Sequence, residues 1–170
     1  MSRANAVTFK GNPMTLAGEE LKAGSAAPDF TLHYFQDGFQ TLTKADLAGK
    51  KSLISVVPSL DTGVCAIQTK TFNEKVAALG DSINAVTVSL DLPFAQGRFC
   101  GAEGVENMKT ASDYQDRTFG NSFGVLIEEL KLLTRAVFVL DEKGNVVHAE
   151  VVPEVTDEPN YDSAMAVLSA

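Results

Sequence analysis

Cys65 and Cys100 are the two thiols of this 170-residue sequence, and His33 and His148 are its two histidines. A thiol can attack an electrophile, exchange with a disulfide or ligate a metal, but free cysteine is also among the most buried residue types. In a reducing compartment a disulfide is more often transient and catalytic than structural. Counting alone leaves redox cycling and two inert core thiols equally open.

The neighbourhood of Cys65 narrows the choice. Pro58-Ser59-Leu60-Asp61-Thr62-Gly63-Val64-Cys65 lies where an apolar run hands over to a helical pattern. With Asp61 or Thr62 as N-cap, Cys65 falls in the first helical turn, where unpaired N–H groups favour an anion. A free thiol of pKa ~8.5 is only about 3% thiolate at pH 7. Lowering that pKa by ~2 units takes about 2.7 kcal/mol, and a helix terminus supplies ~0.3–1. A nearby cation is therefore required; Arg98, Arg117 and Arg135 are the candidates. Thr62, three residues before the cysteine, can bring a hydroxyl to the sulfur and to a bound substrate oxygen, or can merely cap the helix. Pro58 shapes the strand exit and shields the thiol from water.

The elements that must position these residues follow from periodicity. Ser52–Val57 and Ile83–Leu90 read as strands buried on both faces, and Ala136–Leu140 as a third. From Gly63 to Leu79, Cys65, Phe72, Val76 and Leu79 share one helical face. Pro93 after Asp91 marks the start of a short helix through Cys100, weakened by Gly97, Gly101 and Gly104. Val7–Lys10 and Met14–Leu16 form a hairpin around Gly11-Asn12-Pro13. A loop holding Asp37-Gly38 lies between Phe30 and Thr41. Asn145–Val152 reads as the hairpin partner of Ala136–Leu140, and Asp162–Ser169 as a closing helix; 105–133 carries no legible pattern. The order is that of an α/β sheet covered on both sides, with the strands at 52–57 and 83–90 parallel across a right-handed crossover, as in thioredoxin-like folds. With no linker or repeat, 1–170 is expected to be one domain.

Apolar residues make up 45% and charged residues 21%, the composition of a folded protein. The net charge of -8, with no basic stripe, argues against nucleic acid. No apolar run is long enough to span a membrane, and the first residues lack signal-peptide order, so a cytoplasmic location is expected. A cysteine hydrolase needs a histidine base; His148 reads as a solvated strand residue and His33 as a satisfied structural one. Cys65, Cys100, His33 and His148 lack the close ligand pairs of a zinc site, and no metal is expected.

Pro58, Thr62 and Cys65 match the P-x-x-x-T-x-x-C motif of the peroxiredoxins. Ser89 to Cys100, Asp61-Thr62-Gly63-Val64-Cys65, the N-terminal hairpin and Arg135 before a late strand resemble the bacterial thiol peroxidase subfamily over essentially the whole chain. The resemblance implies a thioredoxin-like fold with a central mixed sheet flanked by helices. It implies that the Cys65 thiolate attacks a peroxide held and polarised by Thr62 and Arg135, and that Cys100 resolves the sulfenic acid as a Cys65–Cys100 disulfide. Thioredoxin would recycle it, no cofactor would be needed, and a homodimer is expected. Since both cysteines are read on helices, at least one helix must unwind locally to meet disulfide geometry. A peroxide sensor and an inert thioredoxin-like module are the non-enzymatic alternatives. Leu60, Val64, Phe94 and Phe99 are the apolar candidates beside the site, and Tyr114 and Phe123 are possible pocket residues.

Overall fold

The computed structural model describes all of Met1–Ala170. Its centre is a seven-stranded mixed sheet in the order β11-β10-β5-β6-β7-β3-β4. These strands are β3 (Thr31–Phe35), β4 (Phe39–Thr43), β5 (Lys51–Val56), β6 (Ile83–Ser89), β7 (Lys109–Ser112), β10 (Ala136–Leu140) and β11 (Val146–Val151). β5, β6 and β7 run parallel, and the strands outside them are antiparallel. Helix α1 (Gly63–Val76) joins β5 to β6, α2 (Pro93–Glu103) joins β6 to β7, and α4 (Tyr161–Leu168) closes the chain.

Both faces of the central strands are covered, which is why they read as unbroken apolar runs. Ile54, Val56, Ala136, Phe138 and Leu140 face a core built around Phe30, Phe119 and Phe123. The intervening Leu53, Val137 and Val139 face Phe72 and Val76 of α1 and Ala164 and Leu168 of α4.

The N-terminal hairpin is longer than its sequence signal, pairing β1 (Ser2–Phe9) with β2 (Asn12–Ala17). Its two-residue turn has Lys10 at φ 50° and Gly11 at φ 80°, the double positive-φ geometry that matches strand twist. The region read as a loop around Asp37-Gly38 is instead a turn inside the β3–β4 hairpin, with φ 55° and 126° at those residues. Alternation was too short there to show it. Helix α1 stops at Val76, before Leu79, and a short 3-10 turn follows over Gly80–Ser82.

The stretch 105–133 resolves into β7, a five-residue helix α3 (Thr118–Ser122) and two-residue strands β8 (Leu126–Ile127) and β9 (Leu132–Leu133). The last two extend the N-terminal hairpin into a second sheet, β1-β2-β8-β9. Elements this short are held by distant partners rather than by their own periodicity.

Candidate active site

β5 leads through Val57 and buried Pro58 into the loop that starts α1. Asp91, just after β6, organises that loop: its carboxylate accepts from Ser59 Oγ at 2.7 Å, Leu60 N–H at 2.8 Å and Ser89 Oγ at 2.7 Å. The helix expected from Pro93 after Asp91 does start at Pro93, with Leu92 as its N-cap and no side-chain cap, so Asp91 does not cap it. Asp91 instead connects the approaches to both cysteine helices.

Thr62 is the N-cap of α1, but only through its backbone; its side chain makes no capping bond. The first intrahelical bond runs from Ala66 N–H to Thr62 O, leaving the amides of Gly63, Val64 and Cys65 at the open end. The Thr62 hydroxyl lies 2.6 Å from Cys65 Sγ and 3.0 Å from Ser59 O. Cys65 itself is fully buried, packed with Val57 and Leu60 and with half-buried Phe99.

Arg135 arrives from the residue before β10 and is 2% exposed. Each arm of its guanidinium is occupied. Nε donates to Val155 O at 2.7 Å, Nη1 to Gln68 Oε1 at 2.9 Å, and Nη2 to Cys65 Sγ at 3.4 Å. Arg98 and Arg117, its rivals by sequence, are exposed on α2 and at the left-handed N-cap of α3. Gln68 was missed by the sequence reading. It is buried one turn beyond Cys65, anchored by Nε2 to Ser55 Oγ at 2.8 Å, and aims its oxygen at Arg135. Its signal was a polar residue three positions after the cysteine, one turn along the face that carries Cys65, Phe72 and Val76.

Pro58, Thr62 and Arg135 line a pocket of about 220 Å³ together with Phe9, Val64 and Val155. Of the apolar candidates, Leu60 and Phe99 pack on Cys65 and Val64 lines the pocket. Phe94 does not; it belongs to an exposed aromatic trio with Phe35 and Phe39. Phe123 is core, and Tyr114 packs edge-on against His33.

Cys100 lies on α2 as a free, half-buried thiol donating to Thr110 Oγ1 at 3.6 Å. Burial pushes its pKa up, and the Thr110 contact only partly offsets this. It opens onto a groove of about 520 Å³ walled by Tyr34, Phe35 and the 105–110 segment.

Neither histidine is a hydrogen-bond partner of Cys65 Sγ, whose contacts are Thr62 and Arg135. His148 is not a solvated strand residue: it is half-buried, its Nε2 has no partner, and burial lowers its pKa despite nearby Glu150. His33 is not fully satisfied either, since its buried Nδ1 is unpartnered. No three His, Cys, Asp or Glu side chains cluster with metal-binding geometry. No helix is long and apolar enough to cross a membrane.

The Redoxin family model matches residues 22–165 of the chain. The thiol peroxidase of Bacillus subtilis (strain 168) is 52% identical over 164 residues, covering 96% of each chain. That of Halalkalibacterium halodurans is 51% identical over 164 residues, covering 96% of this chain and 97% of its own. Among solved structures, a peroxiredoxin-like protein from Aquifex aeolicus superposes with a TM-score of 0.89 at 41% identity, covering 98% of this chain and 96% of the other. A thiol peroxidase from Chromobacterium violaceum shares the fold at TM-score 0.85 and 18% identity, covering 96% and 94%.

Proposed function

The chain belongs to the Redoxin family, beside its thiol peroxidases, and from that premise we propose a two-cysteine cycle in which Cys65 attacks peroxide and Cys100 resolves the product. It is a peroxiredoxin-type peroxidase, an oxidoreductase acting on peroxides. The observation that carries the residue assignment is the double contact on Cys65 Sγ, from the Thr62 hydroxyl and the Arg135 guanidinium, at the head of α1.

That arrangement suits an anionic sulfur. The guanidinium supplies the cation that a helix terminus alone cannot replace. In the proposed first step the Cys65 thiolate bonds to one peroxide oxygen and the O–O bond breaks. The departing oxygen takes a proton and leaves as water or alcohol, and Cys65 becomes a sulfenic acid. Arg135 and Thr62 face the pocket where the negative charge on that oxygen develops, so they stabilise the transition state more than the ground state.

The Cys100 thiol then attacks the Cys65 sulfur, forming the disulfide and releasing water. α2 is the helix that yields: its buried side chains are Pro93 and Gln96, whereas α1 buries Cys65, Gln68, Thr69, Phe72, Asn73 and Val76. Thioredoxin, a dithiol donor, reduces the bond by exchange and is itself oxidised. Cys100, already open to its groove, is the sulfur such a partner can reach. The cycle uses no cofactor beyond the two thiols, and the cytoplasm is the compartment that keeps them reduced between turnovers. A homodimer completes the proposal, supported by exposed Phe35, Phe39 and Phe94, whose rings lie 5.2–5.5 Å apart.

The test is peroxide consumption coupled to thioredoxin, its reductase and NADPH, for wild type, Cys65→Ser and Cys100→Ser. The expected result is loss of turnover in both variants, with one burst of sulfenic acid formation surviving in Cys100→Ser alone. Full activity in Cys65→Ser overturns the assignment. A disulfide that forms without thioredoxin-coupled turnover points to another reductant or to a sensor.

A further inference from the structure

The outer wall of the peroxide pocket comes from outside the central sheet. Phe9 and Lys10 at the tip of the N-terminal hairpin, with Val155 and Thr156, face Pro58, Thr62 and Arg135 across it. Backbone bonds join these two wall segments: Thr8 N–H to Pro153 O and Val155 N–H to Thr8 O, each at 2.8 Å.

One carboxylate gathers the rest. Glu154 Oε1 accepts from Gly11 N–H at 2.8 Å and Thr8 Oγ1 at 3.0 Å. Its Oε2 accepts from Thr156 Oγ1 at 2.7 Å, Thr156 N–H at 2.9 Å and Lys10 N–H at 3.2 Å. Those bonds, led by the Thr156 and Gly11 amides, hold its pKa down to about 2, so the clamp is charged throughout the working range. The next residue, Val155, presents the carbonyl that holds Arg135 Nε. Arg135 also meets this segment through its backbone, accepting from Val152 N–H at 3.0 Å.

We propose that Glu154 is a positioning residue for the peroxide site, fastening the hairpin tip as its outer wall and keeping the Val155 carbonyl in place against Arg135. The inference rests on the reading of Cys65 as the attacking thiol and Arg135 as its cation. Without the clamp the Val155 segment keeps only its backbone bonds to Thr8 and Arg135, so the carbonyl against Arg135 Nε is held less tightly and the guanidinium's contact with Cys65 Sγ slackens. The wall also loosens, which matters for a bulky hydroperoxide and little for hydrogen peroxide, which is too small to span the pocket.

The experiment compares Glu154→Ala and Glu154→Gln with Glu129→Ala. Glu129 pins the same hairpin by accepting Thr15 N–H at 2.9 and 3.0 Å, but it does not line the pocket. The pH midpoint of Cys65 alkylation is measured in full-length protein carrying Cys100→Ser. KM for cumene hydroperoxide and for hydrogen peroxide is measured with Cys100 intact. Both Glu154 variants are expected to raise the alkylation midpoint by about half a pH unit or more. They are expected to raise KM for cumene hydroperoxide at least about threefold relative to that for hydrogen peroxide. Glu129→Ala should move neither quantity, even where it lowers Tm equally. Unchanged midpoints in both Glu154 variants, or an equal displacement in Glu129→Ala, overturn the proposal. Failure of the underlying reading is separately visible, as peroxidase turnover that survives Cys65→Ser.

Discussion

The Thr62 hydroxyl has one proton and two acceptors within reach, Ser59 O and Cys65 Sγ. When Cys65 is a thiol, its own S–H can donate to Thr62 while Thr62 donates to Ser59. When it is a thiolate, the Thr62 proton turns to the sulfur, so the hydroxyl serves both states without moving. Thr62→Val is expected to lower kcat/KM about 10- to 100-fold, the cost of one hydrogen bond to a charged group. Thr62→Ser should retain most activity, and equal losses in the two variants would show that bulk, not the proton, is what matters. Asp113 supplies a different residue-scale effect. Its 1% exposed carboxylate accepts from Phe119 and Gly120 N–H at 3.0 and 2.7 Å, yet burial outweighs those bonds and raises its pKa to about 6. A raised folded-state value means that the group favours folding when protonated. That contribution is complete below the unfolded-state pKa and is lost as pH rises through about 6. Urea unfolding from pH 4 to 7.5 should therefore show wild type losing stability relative to Asp113→Asn as pH rises, and parallel curves would contradict the sign.

At the scale of elements, the two cysteine helices are built to different standards. α1 buries a stripe from Cys65 to Val76 beneath the sheet. α2 carries Gly97 and Gly101 on exposed positions and ends at Gly104, whose φ of 67° makes the left-handed cap. An added Cβ at Gly97 or Gly101 meets nothing within 4 Å, so alanine there costs no packing. Each Gly→Ala exchange should stabilise α2 by ~0.4–1 kcal/mol through lost chain entropy. If α2 must unwind before Cys100 reaches Cys65, each exchange slows disulfide formation about 2- to 5-fold and leaves sulfenic acid formation unchanged. Stopped-flow fluorescence with a sulfenic acid trap separates the two steps. Unaltered resolution in Gly97→Ala/Gly101→Ala would shift the unwinding to the first turn of α1.

For the molecule as a whole, the second sheet and the central sheet share side chains rather than merely touching. Val155, beyond β11, packs with Val7, Leu16 and Ile127, and Ala17, Leu126 and Leu133 of the second sheet share a core with Ile54, Val56 and Phe138 of the central one. We propose on this basis that residues 1–170 unfold as one domain. Phe35, Phe39 and Phe94, exposed by 47%, 56% and 56%, form an apolar patch of the kind that marks an association surface. Sedimentation should give a dimer for wild type and a monomer for Phe94→Glu, with one cooperative denaturation transition in each. A monomeric wild type removes the homodimer from the proposal, and two transitions remove the single domain.

Much of this protein is legible in its sequence because the relevant forces are local or periodic. A strand buried on both faces has to be apolar throughout, so Ser52–Val57 and Ala136–Leu140 announced themselves. Pro58, a cap residue and a cysteine three positions later place Cys65 at a helix start through interactions spanning one turn. What local pattern could not choose among Arg98, Arg117 and Arg135 was the cation; the family resemblance alone pointed to Arg135. Arg135 is 70 residues from Cys65 and reaches it because β10 pairs antiparallel with β5, setting Ala136 opposite Val56 and so bringing Arg135 beside the strand exit. Gln68, Asp91 and Glu154 matter for the same reason. Each is an ordinary polar residue until strand register and hairpin docking bring its distant partners within hydrogen-bond reach, and register is a property of the paired chain, not of either segment alone.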